Sequence, residues 1–152
     1  GIPKFTDNRG YLSPLWLQSQ MPNTTFLEDR LSVSKHLILR GLHGDNRVGK
    51  LFVPIYGKFQ FYAREISGDD ELLITLDSSD PRSVYVPPGY INGHLCLGEG
   101  ENILLYKWTD YYQGGQGQVT VKWDCEELNI PWECKDPFLS DRDKKGVNYS
   151  EL

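Results

Sequence analysis

The chain has 152 residues, enough for one domain with a core of its own and without disulfide or metal staples. It carries 16 Lys and Arg against 21 Asp and Glu, a formal net charge of −5, which speaks against a general nucleic-acid binder because such proteins turn a basic face to phosphates. Three cysteines, Cys96, Cys125 and Cys134, are odd in number and form no CxxC pair, so they read as reduced packing thiols of a cytoplasmic protein. No apolar run approaches membrane-spanning length, and the N-terminus lacks the charged-then-apolar pattern of a signal peptide. The abrupt opening at Gly1-Ile2-Pro3 suggests a segment upstream. No repeat, low-complexity tract or linker divides the chain, so residues 1–152 read as a single domain.

Short β-rich runs follow one another, separated by turn residues. Thr24 to Lys35 alternates loosely, and Leu37 to Leu42 follows almost directly, so that Ser32 to Leu39 reads as a β-like run closed by Arg40-Gly41-Leu42-His43 at its end. Lys50 to Tyr56 stops at Gly57, and Pro54 inside it predicts an edge position or a bulge, since proline cannot donate to a ladder. Lys58 to Ile66 ends in Ser67-Gly68-Asp69-Asp70, and Glu71 to Leu76 ends in Asp77-Ser78-Ser79-Asp80-Pro81. Ser83 to Val86 runs into Pro87-Pro88-Gly89. Then come His94 to Leu97, Asn102 to Trp108 and Gln118 to Trp123. Strands this short, punctuated by Gly, Pro and Asp and almost without helical periodicity, predict an all-β sandwich or barrel. The charged tail from Asp136 is expected to lie over the surface and fold back across a pocket.

Arg40-Gly41-Leu42-His43 is the most informative stretch. A guanidinium beside an imidazole suits an anionic substrate that must lose a proton. A lone histidine in a β-protein is more often structural, but Asp143 is available to orient this one: a carboxylate on one ring nitrogen fixes the tautomer and stabilises the imidazolium formed at the other. Tyr106 reads either as a buried-face aromatic or as a phenol supplying a proton from the side opposite the base. Lys50 reads as a solvated lysine at a strand start or as an ammonium stabilising an enolate oxygen. Arg9, Arg40 and Arg142 together suit a diphosphate, because guanidinium forks bind phosphate oxygens bidentately.

A metal centre is not expected. Pro87-Pro88-Gly89-Tyr90-Ile91-Asn92 follows the PxG-x2-H pattern of metal-binding cupin barrels, but Asn92 stands at the ligand position. The chain has three histidines in all, with His36 inside a strand run and no HxH pair. Gly114-Gly115-Gln116-Gly117 lacks the lysine and helix of a phosphate-binding loop and reads as a turn.

Taken in order, Asp7-Asn8-Arg9-Gly10-Tyr11, Ser32-Val33-Ser34, Arg40-Gly41-Leu42-His43, Gly49-Lys50-Leu51, Pro87-Pro88-Gly89-Tyr90, Tyr106-Lys107, Asp110-Tyr111-Tyr112, Trp123-Asp124, Ile130-Pro131-Trp132 and Leu139-Ser140-Asp141-Arg142-Asp143 resemble the dTDP-4-dehydrorhamnose 3,5-epimerase family. The resemblance implies a cupin-type jelly-roll β-sandwich acting on 4-keto sugar nucleotides without a cofactor, in carbohydrate (lipopolysaccharide or capsule) biosynthesis. It implies His43 as general base paired with Asp143, Tyr106 as the acid opposite, and Lys50 at the developing oxyanion. Arg9 and Arg40 would hold the diphosphate, with Arg142, Asn92 and Tyr111 in the same substrate-binding set. A homodimer is implied too, with the N-terminal strand contributed across the interface. The C4 ketone acidifies the hydrogens at C3 and C5; removing one gives an enolate, and reprotonation from the other face inverts the carbon.

The chain departs from the family pattern. Asn92 replaces the usual His and His94 an aromatic, while Glu28-Asp29-Arg30 replaces Gln-Asp-Asn. The carboxylate of Glu28 cannot donate to thymine but can accept from guanine N1–H and its amino group. The departures imply a branch acting on another 4-keto sugar nucleotide, with a GDP-linked sugar and a heptose among the candidates. Two rival readings are a 3,4-ketoisomerase on the same fold and a sugar-binding cupin without turnover. The latter has no need of base, partner acid and phenol together.

Overall fold

The β-branched and aromatic runs fold as extended strands whose alternate residues point to opposite faces. The computed structural model describes residues 1–152. Its strands are β1 (Phe5–Asp7), β2 (Gly10–Leu12), β3 (Glu28–Ser34), β4 (Leu39–Asp45), β5 (Lys50–Tyr56), β6 (Lys58–Glu65), β7 (Glu71–Asp77), β8 (Val84–Val86), β9 (Tyr90–Cys96), β10 (Asn102–Trp108) and β11 (Gln118–Thr120). The helical elements are α1 (Asp141–Lys144) and 3₁₀ turns at Gln18–Gln20 and Tyr149–Glu151. A four-stranded sheet, β3-β10-β5-β8, faces a five-stranded sheet, β11-β4-β9-β6-β7, while β1 and β2 form a separate hairpin. The paired strands are antiparallel throughout. This is the all-β jelly-roll sandwich that the sequence predicts.

Two apolar clusters hold the layers. Phe52, Phe59, Phe61, Leu76, Cys96 and Leu104 fill the space between the sheets. Leu42, Tyr62, Ile91, Val121, Cys125 and Leu128 form a second cluster, joined by Ile130, Trp132 and Tyr149 of the C-terminal segment. The sandwich therefore has a packed interior and a chain-covered back. Between the sheets, on the side of β3 and β4, packing gives way to a cavity.

Several boundaries differ from the sequence reading. The run Ser32 to Leu39 is broken: β3 ends at Ser34, residues 35–38 turn with Leu37 at φ 60, and β4 starts at Leu39. Arg40-Gly41-Leu42-His43 thus lies within β4 and not at a strand end, and His36 sits exposed in the turn, its Nδ1 3.2 Å from the Gly98 carbonyl. The run begun at His94 starts four residues earlier, at Tyr90, because Gly93 and Asn92 continue the ladder with β6. Pro54 meets both of its expectations. β8 pairs only with Lys50 to Phe52, and the β10–β5 register shifts between Ile103 and Leu104 beside it.

The decisive irregularity is a bulge in β4. Arg40 pairs with His94 and His43 pairs with Asn92, so two residues of β4, Gly41 and Leu42, stand against one of β9. In a regular strand positions three apart face opposite ways; the extra residue restores Arg40 and His43 to one face. Leu42 points the other way into the back cluster. The bulge also frees the Gly41 N–H from the ladder, and it donates to Asp143 Oδ2 at 3.1 Å.

The tail reaches that bulge because it is pinned on both sides. Phe138 and Leu37–Leu39 exchange backbone bonds of 3.0 Å, and Val147 bonds to Thr120 and Lys122 at 2.9 Å. Between these pins Ser140 caps α1 by accepting from the Asp143 N–H at 3.2 Å. Gly41 has φ +126, and a β-carbon there would stand 2.7 Å from Gly93 Cα and 2.8 Å from the Asn92 carbonyl oxygen. Only glycine fits. Gly41→Ala should therefore cost about 3 kcal/mol or more in urea unfolding; a loss under about 1 kcal/mol would contradict this account of the bulge.

Candidate active site

The cavity between the sheets has a volume of about 560 Å³, in the range that holds small-molecule ligands. Its mouth is lined by Arg30 and Ser32 of β3, Arg40 and His43 of β4, and Phe138, Leu139, Ser140, Arg142 and the buried Asp143 of the tail. Its floor is β5, β9 and β10, with Lys50, Phe52, Asn92, His94, Tyr106 and Trp108. Arg30, Arg40, Lys50 and Arg142 face a single carboxylate, Asp143, among the lining residues. A chain of net charge −5 thus contains a locally cationic pocket, the electrostatics an anionic ligand needs.

His43 Nε2 lies 2.6 Å from Asp143 Oδ1, between residues 100 apart in sequence. Burial pushes the Asp143 carboxyl up, but the His43 hydrogen bond and charge, the Gly41 N–H and the Ser140 hydroxyl outweigh it and leave the group below its ordinary value. Asp143 is accordingly an ionised acceptor. With the Nε2–H donating to it, the lone pair of the imidazole is at Nδ1, and a proton taken there leaves an imidazolium beside a carboxylate.

Tyr106 stands on the opposite sheet, in register with Phe52 and Arg30. Burial lifts its phenol to about 12, opposed by the bond it donates to Ser32 Oγ at 2.8 Å. The phenol is protonated across the working pH range. Lys50 is 7% exposed, and its Nζ lies 4.5 Å from the Trp108 ring centroid, a cation–π contact between direct cross-strand neighbours. Burial lowers its pKa from 10.5 to about 8, with Asp45 opposing and Arg142 and Arg30 assisting.

The remaining sequence candidates divide. Arg40 lines the cavity with Nε 2.9 Å from Ser34 Oγ, and Arg142 lines it while donating to Gln118 Oε1 at 2.8 Å. Asn92, 7% exposed, donates to the His43 carbonyl at 3.4 Å. Arg30 lies over Tyr112 at 4.2 Å and Trp108 at 5.5 Å. Glu28 is next to the cavity but outside its lining, 3.7 Å from the Arg30 guanidinium and 3.5 Å from the Tyr112 N–H. Arg9 is not brought to the cavity: it sits on the exposed β1–β2 hairpin, paired with Asp7 at 2.6 Å. Tyr111 is exposed and also outside the lining, where its neighbour Tyr112 stands instead.

Sequence reasoning passed over Ser32, Trp108, Tyr112, Gln118 and Phe138 as lining residues. Trp108 was legible, since it follows Tyr106 by two on one strand and must share its face. Gln118 and Phe138 carried no signal. No group of three or more His, Cys, Asp or Glu side chains converges as metal ligands do, and no helix is long and apolar enough to cross a membrane.

Fold and cavity together define a cupin-type β-sandwich with a histidine–carboxylate pair and a phenol on facing walls. The family model for dTDP-4-dehydrorhamnose 3,5-epimerase matches residues 2–151. The chain belongs to the dTDP-4-dehydrorhamnose 3,5-epimerase family, a family of isomerases. It is 29% identical to the dTDP-4-dehydrorhamnose 3,5-epimerase of Salmonella typhimurium, over 91% of this chain and 82% of that protein. It is 28% identical to the one from Neisseria gonorrhoeae, over 97% of this chain but only 48% of that protein, so it spans about half the length of that relative. The crystal structure of the Bacillus anthracis enzyme with TDP and PPi bound superposes with a TM-score of 0.90 at 24% identity, covering 97% and 90% of the two chains. That of the Legionella pneumophila epimerase in complex with dTDP-4-keto-L-rhamnose gives 0.90 at 23%, covering 98% and 85%.

Lys50 offers a test of the site's electrostatics. Its pKa is lower in the fold than in the unfolded chain, so between about 8 and 10.5 the unfolded chain binds more protons and stability rises with pH. At pH 7, below both values, the buried charge costs on the order of 3 kcal/mol. Lys50→Met should raise the melting temperature at pH 7 by several degrees and flatten that pH dependence; a lower melting temperature would mean the ammonium stabilises the fold.

Proposed function

We propose that residues 1–152 act as one cupin-type domain that epimerises an NDP-4-keto sugar at C3, C5 or both by enolisation. The observation that carries this reading is the His43–Asp143 pair, 2.6 Å apart on one wall of a cationic cavity, with the protonated Tyr106 phenol on the other. Family membership supports its substrate class. Inversion needs a base and an acid on opposite faces of a planar enolate, and two facing sheets supply opposite faces by construction. His43 takes the proton from the carbon next to the ketone, and Asp143 holds the ring and stabilises the imidazolium. Charge then moves to O4, where the Lys50 ammonium stabilises it in a setting poor in water. Tyr106 returns a proton from the other side. The steps balance within the substrate and solvent, with no cofactor.

Arg40 and Arg142 hold the diphosphate at the mouth, with Asn92 nearby on the floor. Arg9 joins this reading through a homodimer. The hairpin that carries it exposes Phe5, Tyr11 and Leu12, and the outer face of β3 exposes Leu31 and Val33, apolar surface suited to a second copy. The free cysteines fit a cytoplasmic setting. The nucleoside lies beside Arg30, Tyr112 and Tyr111. The Glu28 carboxylate, beside Arg30 and the Tyr112 N–H, presents two acceptors, which match the adjacent N1–H and amino group of guanine better than the single N3–H of thymine. The sugar is therefore GDP-linked in this reading.

Deuterium wash-in from D2O into 4-keto sugar nucleotides, followed by NMR, tests the mechanism. His43→Asn should lower exchange by about a thousandfold or more, and Asp143→Asn by about a hundredfold or more, with the fold intact. Tyr106→Phe should still wash deuterium into the starting sugar yet form little inverted product. In the wild type kcat/KM should fall above a pH of about 8, as Lys50 loses the proton that stabilises the enolate. Near-normal exchange by His43→Asn would sink the mechanism. For the nucleotide, calorimetry should find GDP bound more tightly than dTDP, with the difference lost in Glu28→Gln; preference for dTDP removes Glu28 from the site.

A further inference from the structure

The floor of the cavity holds a polar group that the chemistry above does not use. His94 on β9 is 2% exposed and lines the cavity, and its Nε2 has no hydrogen-bond partner in the protein. The ring stands edge-on to Tyr106 at 6.1 Å and to Phe59 at 5.7 Å between centroids. An unpaired buried nitrogen destabilises the fold, and a phenyl ring would fill the same place without that cost. No solvent reaches that nitrogen in this state, so its partner is expected only in the bound state, once the ring turns toward the cavity.

The kind of partner follows from the ring's charge and from its depth. Burial, with the positive fields of Arg40 and His43, holds His94 down to about 3, so it is neither a second base at neutral pH nor a cation for phosphate. A neutral imidazole has one donor and one acceptor nitrogen, and a half-turn about Cβ–Cγ exchanges carbon and nitrogen along each edge. A hydroxyl, which both donates and accepts, satisfies every such state; a methyl satisfies none. In a pyranose joined through C1 to a diphosphate at the arginine-lined mouth, the deepest groups are O4 and the carbon tail on C5. Lys50 takes O4, which leaves the tail to the floor beside His94.

We propose that His94 is a specificity-determining residue that hydrogen-bonds a hydroxyl on the sugar tail beyond C5, selecting 4-keto sugars with a hydroxylated tail over those that end in a C6 methyl. The inference rests on the epimerase reading and adds the substrate class. A pocket built to bond a hydroxyl discriminates strongly against the analogue without it, because its own polar group is then left unpaired.

The test compares two 4-keto sugars on the same nucleotide, one a 6-deoxyhexose ending in methyl and one extended by a hydroxymethyl carbon, using deuterium wash-in. The wild type should favour the hydroxylated sugar in kcat/KM by about tenfold or more. His94→Phe should erase the preference through a loss of about ten- to a hundredfold on the hydroxylated sugar alone, and His94→Gln, which keeps a donor and an acceptor, should retain part of it. Equal turnover of both sugars by the wild type, or an equal loss on both in His94→Phe, overturns the inference while leaving the epimerase reading standing. Absence of exchange with either sugar in the wild type overturns that reading and this inference with it.

Discussion

The bulge at Gly41–Leu42 is the constraint on which the site depends. Strand alternation alone would turn Arg40 and His43 to opposite faces of the sheet. One extra residue against Gly93 turns both into the cavity, buries Leu42 behind, and leaves the Gly41 N–H free to donate to Asp143. A bulge tolerates this only where glycines let the two backbones approach, and Gly41 and Gly93 stand against each other there. The carboxylate that meets His43 is thus held by the same irregularity that aims His43.

The second organising fact is the division of labour between sheets. The five-stranded sheet carries His43, Asn92 and His94, and the four-stranded sheet carries Arg30, Lys50 and Tyr106. Groups on facing sheets cannot collapse onto one another, so a cationic pocket with one carboxylate persists between them. Its charges are maintained against burial. The depressed Lys50 and the unpaired His94 are stabilisation forgone in the walls of that pocket.

Much of this was legible in the chain. The runs Lys50–Tyr56 and Asn102–Trp108 matched β5 and β10 end to end, because Gly and acidic turns delimit them and they are short, continuous stretches rich in branched and aromatic residues. The start of β9 was missed, since Pro87-Pro88-Gly89 and the small residues Asn92 and Gly93 weaken the local strand signal while pairing to β4 and β6 on both sides supplies it. The run Ser32–Leu39 was read through a turn. Leu37 takes a left-handed conformation that no propensity assigns to leucine, held by its bonds to the Cys96 carbonyl and the Phe138 N–H.

What the sequence determined by itself was the class of fold, through short β-rich runs and the turn residues between them, and the set of chemical groups, through an ordered series of motifs spread over the chain. Both are written in local residue types and spacing. Tertiary structure alone decided which of those groups meet. It brought Asp143 across 100 residues to His43, because the tail is pinned at Phe138 and Val147, and kept Arg9 on a hairpin away from the cavity. It also lowered Lys50 and left His94 unpaired. These follow from burial and long-range pairing, which depend on what the rest of the chain packs around a residue and have no counterpart in its sequence neighbours.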